Sequence, residues 1–425
     1  MKSLNHGRSL TSLSLRTCGA ALGHLTALLI TLVGASSPIA YAQNYSILYS
    51  FECGTQGQLP IGNLAADSAG NLYGTTYWGG AFGYGTVFKV SPDGTQTVLH
   101  SFAGPPNDGQ SPYAGLVLDK AGNLYGTTFY GGSNCLLAGA PGCGTVFEVS
   151  ANGKESVLYS FGANPSDAAG PQSGLLRDPA GELYGTAGGG ANGGGTVFKL
   201  SADGKETVLH SFAEIGSIGG DGSVPVAGLV SDGAGNLYGT TSVGGNPSCL
   251  HGCGTVFELQ KTGEETVLYS FAGAPADGSY PDSTLLRDAA GNLYGVTSLG
   301  GQGTLCGLSD GCGTVFRLAP GGTETVLFSF DGENDGDEPS GNMLKDGRSN
   351  LYGTSPFAGP SACSGGCGIL FELAATGKEG ALHKFAGPPA DGSYPAALLV
   401  NGGGLYGSTA GGGAYNCGTV FKITP

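Results

Sequence analysis

The chain has 425 residues, of which 83 are glycine, 12 % are charged and 40 % are hydrophobic. Glycine at that frequency without a three-residue period excludes collagen and points to many turns, while the hydrophobic share excludes a disordered chain. Seventeen basic residues stand against 32 acidic ones, a net charge of −15, which excludes recognition of nucleic acid through a basic surface.

The first 42 residues differ from the rest. Lys2, Arg8 and Arg16 precede an apolar run from about Ala20 to Ala35, and Ala40-Tyr41-Ala42 forms a small-x-small cleavage motif before Gln43. This pattern predicts a secretory signal peptide over 1–42. Its removal leaves 14 basic residues against 32 acidic ones, net −18, on a mature chain of 43–425. No later apolar stretch approaches the length of a membrane-spanning helix. The expectation is a secreted or periplasmic monomer with no membrane span after the leader and no C-terminal anchor.

After the leader the chain repeats. Leu-Tyr-Gly recurs with its tyrosine at Tyr73, Tyr125, Tyr184, Tyr238, Tyr294, Tyr352 and Tyr406, spaced 52 to 59 residues apart. Each copy is followed by Gly-Thr-Val-Phe or a variant, then by Val-Leu-x-Ser-Phe or a variant. In the second copy the predicted strands are 114–118, 123–128, 144–149 and 156–161, rich in β-branched and aromatic residues and separated by Gly, Asn and Asp turns. No sustained helical period is present.

Four antiparallel strands repeated at this period predict an all-β fold, a seven-bladed β-propeller of four-stranded blades occupying 43–425 as one domain. The ends are offset. Ile47-Leu48-Tyr49-Ser50-Phe51 has no Gly-Thr-Val-Phe before it, and Gly418-Thr419-Val420-Phe421 has no Val-Leu-x-Ser-Phe after it. The N-terminal strand 45–51 is therefore expected to complete the last blade, 394–424, and close the ring. An open β-solenoid has no use for a split repeat.

Ten cysteines follow the leader, and eight fall in pairs within the loop between second and third strands: Cys135–Cys143, Cys249–Cys253, Cys306–Cys312 and Cys363–Cys367. Cys417 holds the same position in the last repeat without a local partner, and Cys53 follows the N-terminal strand. Antiparallel pairing of the two ends predicts a fifth disulfide, Cys53–Cys417. Such usage fits an oxidising compartment.

The combination of Asp-x-x-Gly-Asn-Leu-Tyr-Gly-Thr-Thr, Gly-Gly, Gly-Thr-Val-Phe-Lys and Glu-Thr-Val-Leu-Tyr-Ser-Phe resembles the GloVer tandem-repeat proteins, exported bacterial "choice-of-anchor" repeat proteins. The resemblance covers nearly everything after the leader. It implies a bacterial, extracytoplasmic protein, and it carries no established activity. Members often end in an anchoring signal, from which this chain departs.

Candidate ligand contacts lie on the face formed by the inter-blade connections and the loops between second and third strands. Asp108, Asp221, Asp277, Asp335 and Asp391 precede glycine in successive inter-blade loops, with Asp167 a looser counterpart. They offer either a rim of carboxylates or ordinary turn chemistry. Asp331, Glu333, Asp335 and Asp337 alternate ahead of a glycine as in calcium loops, although Asn342 stands at the twelfth position. Calcium is the one cofactor the sequence offers. Tyr77, Trp78 and Tyr84, with Phe82, cluster in the first repeat's loop and Tyr130, with Phe129, in the second; rings beside carboxylates are a sugar-gripping combination. The histidines at the variable position of Val-Leu-x-Ser-Phe read as aromatic filler. No catalytic residue can be picked out.

The expected function is a binding or scaffold module for carbohydrate or a cell-envelope component. The competing class is a propeller enzyme, a lyase, lactonase or glycosidase, using acidic residues at the channel mouth. A purely structural repeat protein without a ligand is the third reading.

Overall fold

The structure, a computed structural model, describes residues 44–133, 135, 141–217, 220–306, 310–332, 335–359 and 362–424. The chain divides into two units, 1–41 and 42–425; the predicted signal peptide lies outside the described residues. Among the described residues the second unit is β-sheet with one short 3-10 turn, Gly54–Gln56.

Seven antiparallel blades follow one another. The first is built from Ala65–Ala66, Leu72–Thr76, Thr86–Val90 and Gln96–Ser101, in that order from the innermost strand outward. The second uses Val117–Leu118, Leu124–Thr128, Thr145–Val149 and Glu155–Ser160. The seventh joins the two ends of the chain: Gly392–Asn401, Gly404–Gly412 and Thr419–Thr424 are completed on the outside by Asn44–Ser50. Asn44 pairs with Thr424 and Ser50 with Thr419. The seven-bladed propeller closed by its N-terminal strand is thus the observed fold.

The repeated motifs have physical reasons. In Leu-Tyr-Gly the leucine is buried, and the glycine gives room to a phenylalanine on the neighbouring strand. Gly74 pairs with Phe88, and a Cβ on Gly74 would lie 2.7 Å from the Phe88 ring. The tyrosine hydroxyl reaches back to the hairpin aspartate, as Tyr73 does to Asp67 at 2.9 Å. Asp67 Oδ1 also accepts the N–H groups of Ala69 and Asn71. Burial would raise this carboxyl, but the hydrogen bonds from Asn71, Tyr73 and Ala69 outweigh it and hold it below the ordinary range. These tyrosines belong to the scaffold.

Neighbouring blades lock through phenylalanine pairs. The last residue of each Val-Leu-x-Ser-Phe meets the phenylalanine of the next blade's third strand edge to face, as in Phe102–Phe147 at 5.0 Å and Phe271–Phe316 at 5.0 Å. The crossover to the next blade passes through an X-Pro step whose first residue has positive φ in all seven blades: Leu59, Ser111, Gly170, Val224, Tyr280, Glu338 and Tyr394. The proline packs on the glycine of the preceding blade's Gly-Thr-Val-Phe. A Cβ on Gly85, at φ +101°, would come within 2.6 Å of Pro112.

All five expected disulfides are present: Cys53–Cys417, Cys135–Cys143, Cys249–Cys253, Cys306–Cys312 and Cys363–Cys367. The first joins residues 364 apart in sequence, with Cα atoms 5.5 Å apart, beside the strand pair that closes the ring.

Candidate functional site

The segments that lead from each crossover into the innermost strand line a central cavity of about 410 Å³, with residues from all seven blades. The residue after each crossover proline lines its mouth: Ile61, Tyr113, Gln172, Val226, Asp282, Ser340 and Ala396. Asp282 is the one carboxylate among the lining residues. Two other polar side chains of the lining, Thr284 and Asn342, are committed to the fold. Thr284 Oγ1 accepts the Gly228 N–H at 3.0 Å, and Asn342 exchanges two hydrogen bonds with the backbone of Leu398.

Asp282 differs. Its Oδ1 is inaccessible to solvent and meets no hydrogen-bond donor. Burial, with the charge of Glu338 adding, outweighs hydrogen bonding from its own backbone N–H and from Ser298 and pushes the carboxyl up to about 7. Burial also raises the Tyr113 phenol, and the Asp282 charge from the facing side of the ring adds to it. A weakly ionised carboxyl in the lining of this cavity can exchange a hydrogen bond with a ligand hydroxyl.

At the rim, Tyr77 stands edge-on to Trp78 at 4.7 Å and to Tyr113 at 5.9 Å. Trp78 is 36 % exposed and Tyr113 45 %. Two residues singled out from sequence, Tyr77 and Trp78, are thus brought together with a third, Tyr113, that was not. Its signal was the position after a crossover proline. Phe82 is 60 % exposed, whereas Tyr84 packs against the cluster containing Phe102. Tyr130 stands edge-on to Phe129 at 4.5 Å, and its backbone pairs with Gln110.

The inter-blade aspartates turn inward. Asp108 accepts from His100 Nε2 at 3.0 Å and from the Ala103 and Gly109 N–H groups. Asp277 accepts the Tyr269 hydroxyl at 2.8 Å and the Ala272 and Gly278 N–H groups. His210 contacts Asp221 at 2.6 Å, His383 contacts Asp391 at 2.9 Å, and Tyr159 donates to Asp167 at 3.1 Å. Histidine and tyrosine alternate at one position of the outermost strand because an imidazole N–H and a phenol O–H reach the same carboxylate. The histidines are packed as aromatic filler, edge-on to the next phenylalanine, and they also bind these aspartates.

The loops of Asp108, Asp167, Asp221, Asp277 and Asp335 each face a glutamate that begins the next blade's outermost strand. Burial, with the nearby aspartate charge adding, pushes Glu155, Glu206, Glu265, Glu324 and Glu379 up to about 7. In all five, Oε1 is shielded from solvent and has no donor. The sequence reading assigned these residues no role.

In the acidic loop of the fifth-to-sixth crossover, Asp335 Oδ1 accepts the Asp331 N–H at 2.8 Å. Asp337 has a buried Oδ1 without a donor. Burial pushes both Asp335 and Asp337 up to about 6. Glu333, the other expected ligand there, lies outside the described residues.

Among solved structures, the virginiamycin B lyase of Staphylococcus aureus superposes with a TM-score of 0.57 at 13 % identity, covering 90 % of this chain and 99 % of that one. A luciferin-regenerating enzyme gives 0.40 at 13 %, covering 90 % and 95 %. A gluconolactonase of Xanthomonas campestris gives 0.38 at 16 %, covering 66 % and 78 %. At such identity the lyase shares the propeller fold. No curated protein matches the chain in sequence. The family model of the Gloeobacter/Verrucomicrobia repeat matches residues 37–216, 135–308 and 303–425, and with these matches spanning nearly all of its length the chain belongs to that repeat family.

Proposed function

We propose that this protein is an exported binding module that takes a polyhydroxylated, carbohydrate-type ligand at the loop-bearing mouth of its channel. The observation that carries this reading is the aromatic corner Tyr77–Trp78–Tyr113, whose Tyr113 lines the central cavity together with the Asp282 carboxyl. Aromatic faces cover the C–H side of a sugar ring, and a few placed polar groups fix its hydroxyls. Five disulfides support residence outside the cytoplasm.

A thermal-shift screen of the oxidised protein against cell-wall and plant oligosaccharides, with calcium or with chelator, tests the reading. One sugar class should raise Tm in a concentration-dependent way, and Trp78→Ala and Tyr113→Ala should abolish that rise. No rise with any sugar would sink it. A rise in Tm with added calcium that zinc does not reproduce would point to the acidic loop of Asp331, Asp335 and Asp337 as a calcium site.

A second reading, catalysis at the same mouth, draws on Asp282 as a buried acid poised near neutrality. Chromatography of the incubated oligosaccharides separates the two: products formed by the unchanged protein and absent with Asp282→Asn would favour an enzyme.

A further inference from the structure

Two of the inter-blade pockets hold more than a pair of carboxylates. Between blades one and two, His100, Asp108 and Glu155 each place one donor atom within 4.8 Å of the other two, and between blades three and four His210, Asp221 and Glu265 do the same. In both, histidine Nε2 touches the aspartate, at 3.0 and 2.6 Å. In both, the glutamate Oε1 is sealed from solvent with no donor in reach. The histidine side chains are 19 % and 20 % exposed, so each cluster reaches solvent on its imidazole side. A carboxylate oxygen withdrawn from water costs stability unless a donor or a cation meets it.

We propose that each of these two pockets binds one divalent transition-metal ion of the zinc class, through the histidine imidazole and one carboxylate oxygen from each acid, with water completing the shell. One imidazole and two carboxylates form a donor set that zinc accepts, whereas calcium and magnesium favour all-oxygen shells. The histidine binds as neutral imidazole, with the Nε2 lone pair turned to the ion in place of the present contact with aspartate.

The other blades act as internal controls. Tyr159, Tyr269 and Phe328 stand where His100 and His210 stand, so the pairs Asp167/Glu206, Asp277/Glu324 and Asp335/Glu379 have no nitrogen donor. His383 faces Asp391, but Tyr45 occupies the glutamate position and stacks on the imidazole at 3.8 Å. The third cluster of donor type, Cys306, Cys312 and Asp337, offers no thiolate because its cysteines form a disulfide. Among the described residues the expectation is two metal sites. Both lie in the outer part of the ring and are independent of ligand binding at the channel.

The test is zinc stoichiometry. The oxidised full chain is stripped with chelator and dialysed against zinc chloride, and bound metal is measured by elemental mass spectrometry. Two equivalents are expected for the unchanged protein, one for Glu155→Gln, one for His210→Ala and none for the double variant His100→Ala/His210→Ala. His383→Ala should retain two. Zinc should raise Tm in the unchanged protein and leave that of the double variant where it was, with circular dichroism reporting the variant's fold. The near-isosteric pair Glu155→Gln/Glu265→Gln, also expected to bind none, covers the case in which the histidine variants misfold. No zinc on the unchanged protein, or two equivalents retained by either double variant, overturns the proposal.

Discussion

Phe51 and Phe88 meet edge to face with ring centroids 5.0 Å apart. The contact repeats the one between Phe161 and Phe198, also at 5.0 Å, although Phe51 comes from the strand before the first complete blade. The last blade therefore meets the first through the same interface that joins every other neighbouring pair. Ring closure is not a special joint. Phe51→Ala should cost about 3–5 kcal/mol, as should Phe161→Ala, when measured by chemical denaturation of the oxidised proteins. A cost near zero at Phe51 alone would show that the seventh interface is looser than the rest.

The disulfide Cys53–Cys417 fastens the same junction across 364 residues. Cys53→Ser/Cys417→Ser should lower stability by on the order of 5 kcal/mol, the chain-entropy value for a very long loop. Removing Cys249–Cys253, which spans 4 residues, should cost clearly less. Equal costs would contradict the entropic account.

Gly74 accommodates the Phe88 ring, and Gly74→Ala forces a shift in one of them. The expected loss is about 1–3 kcal/mol by thermal or chemical unfolding. Gly83, which has open space around its Cβ direction but φ +83°, should lose less on the same substitution.

Glu206 and Glu324 are pushed up to about 7 from an ordinary value of 4.5, chiefly by burial. Their folded pKa exceeds the unfolded one, so the folded state holds the proton more tightly. Stability then falls as pH rises from about 4.5 through about 7. With chelator present, Tm should be higher at pH 5.5 than at pH 8. Glu206→Gln should raise Tm at pH 8 and change it little at pH 5. A Tm that climbs through this window would contradict the burial of these groups.

Much of the architecture was legible in the sequence because it repeats. Leu-Tyr-Gly counts the blades, the half-repeat ending at Phe51 reveals the closure, and Cys53 follows as the partner of Cys417. The site was less legible because what matters there varies from blade to blade. Tyr113 and Asp282 occupy the same place after their crossover prolines as Ile61 and Ala396, and only the ring turns that place toward the axis. The inter-blade aspartates look alike in sequence whether they face solvent or fold inward; their inward turn depends on His100 or Tyr269, residues from a different strand. The glutamates at 155 and 265 carry no signal of their own until the neighbouring blade is set beside them.

Trp78 is the chain's only tryptophan, and it stands at the proposed ligand site. Its fluorescence, followed during titration with the oligosaccharide panel, is therefore the most direct measurement. A saturable change in intensity or wavelength is predicted for one sugar class, lost or weakened at least tenfold in Tyr113→Ala. An emission unchanged by every sugar, in a protein whose fold is confirmed, would contradict ligand binding at the channel mouth.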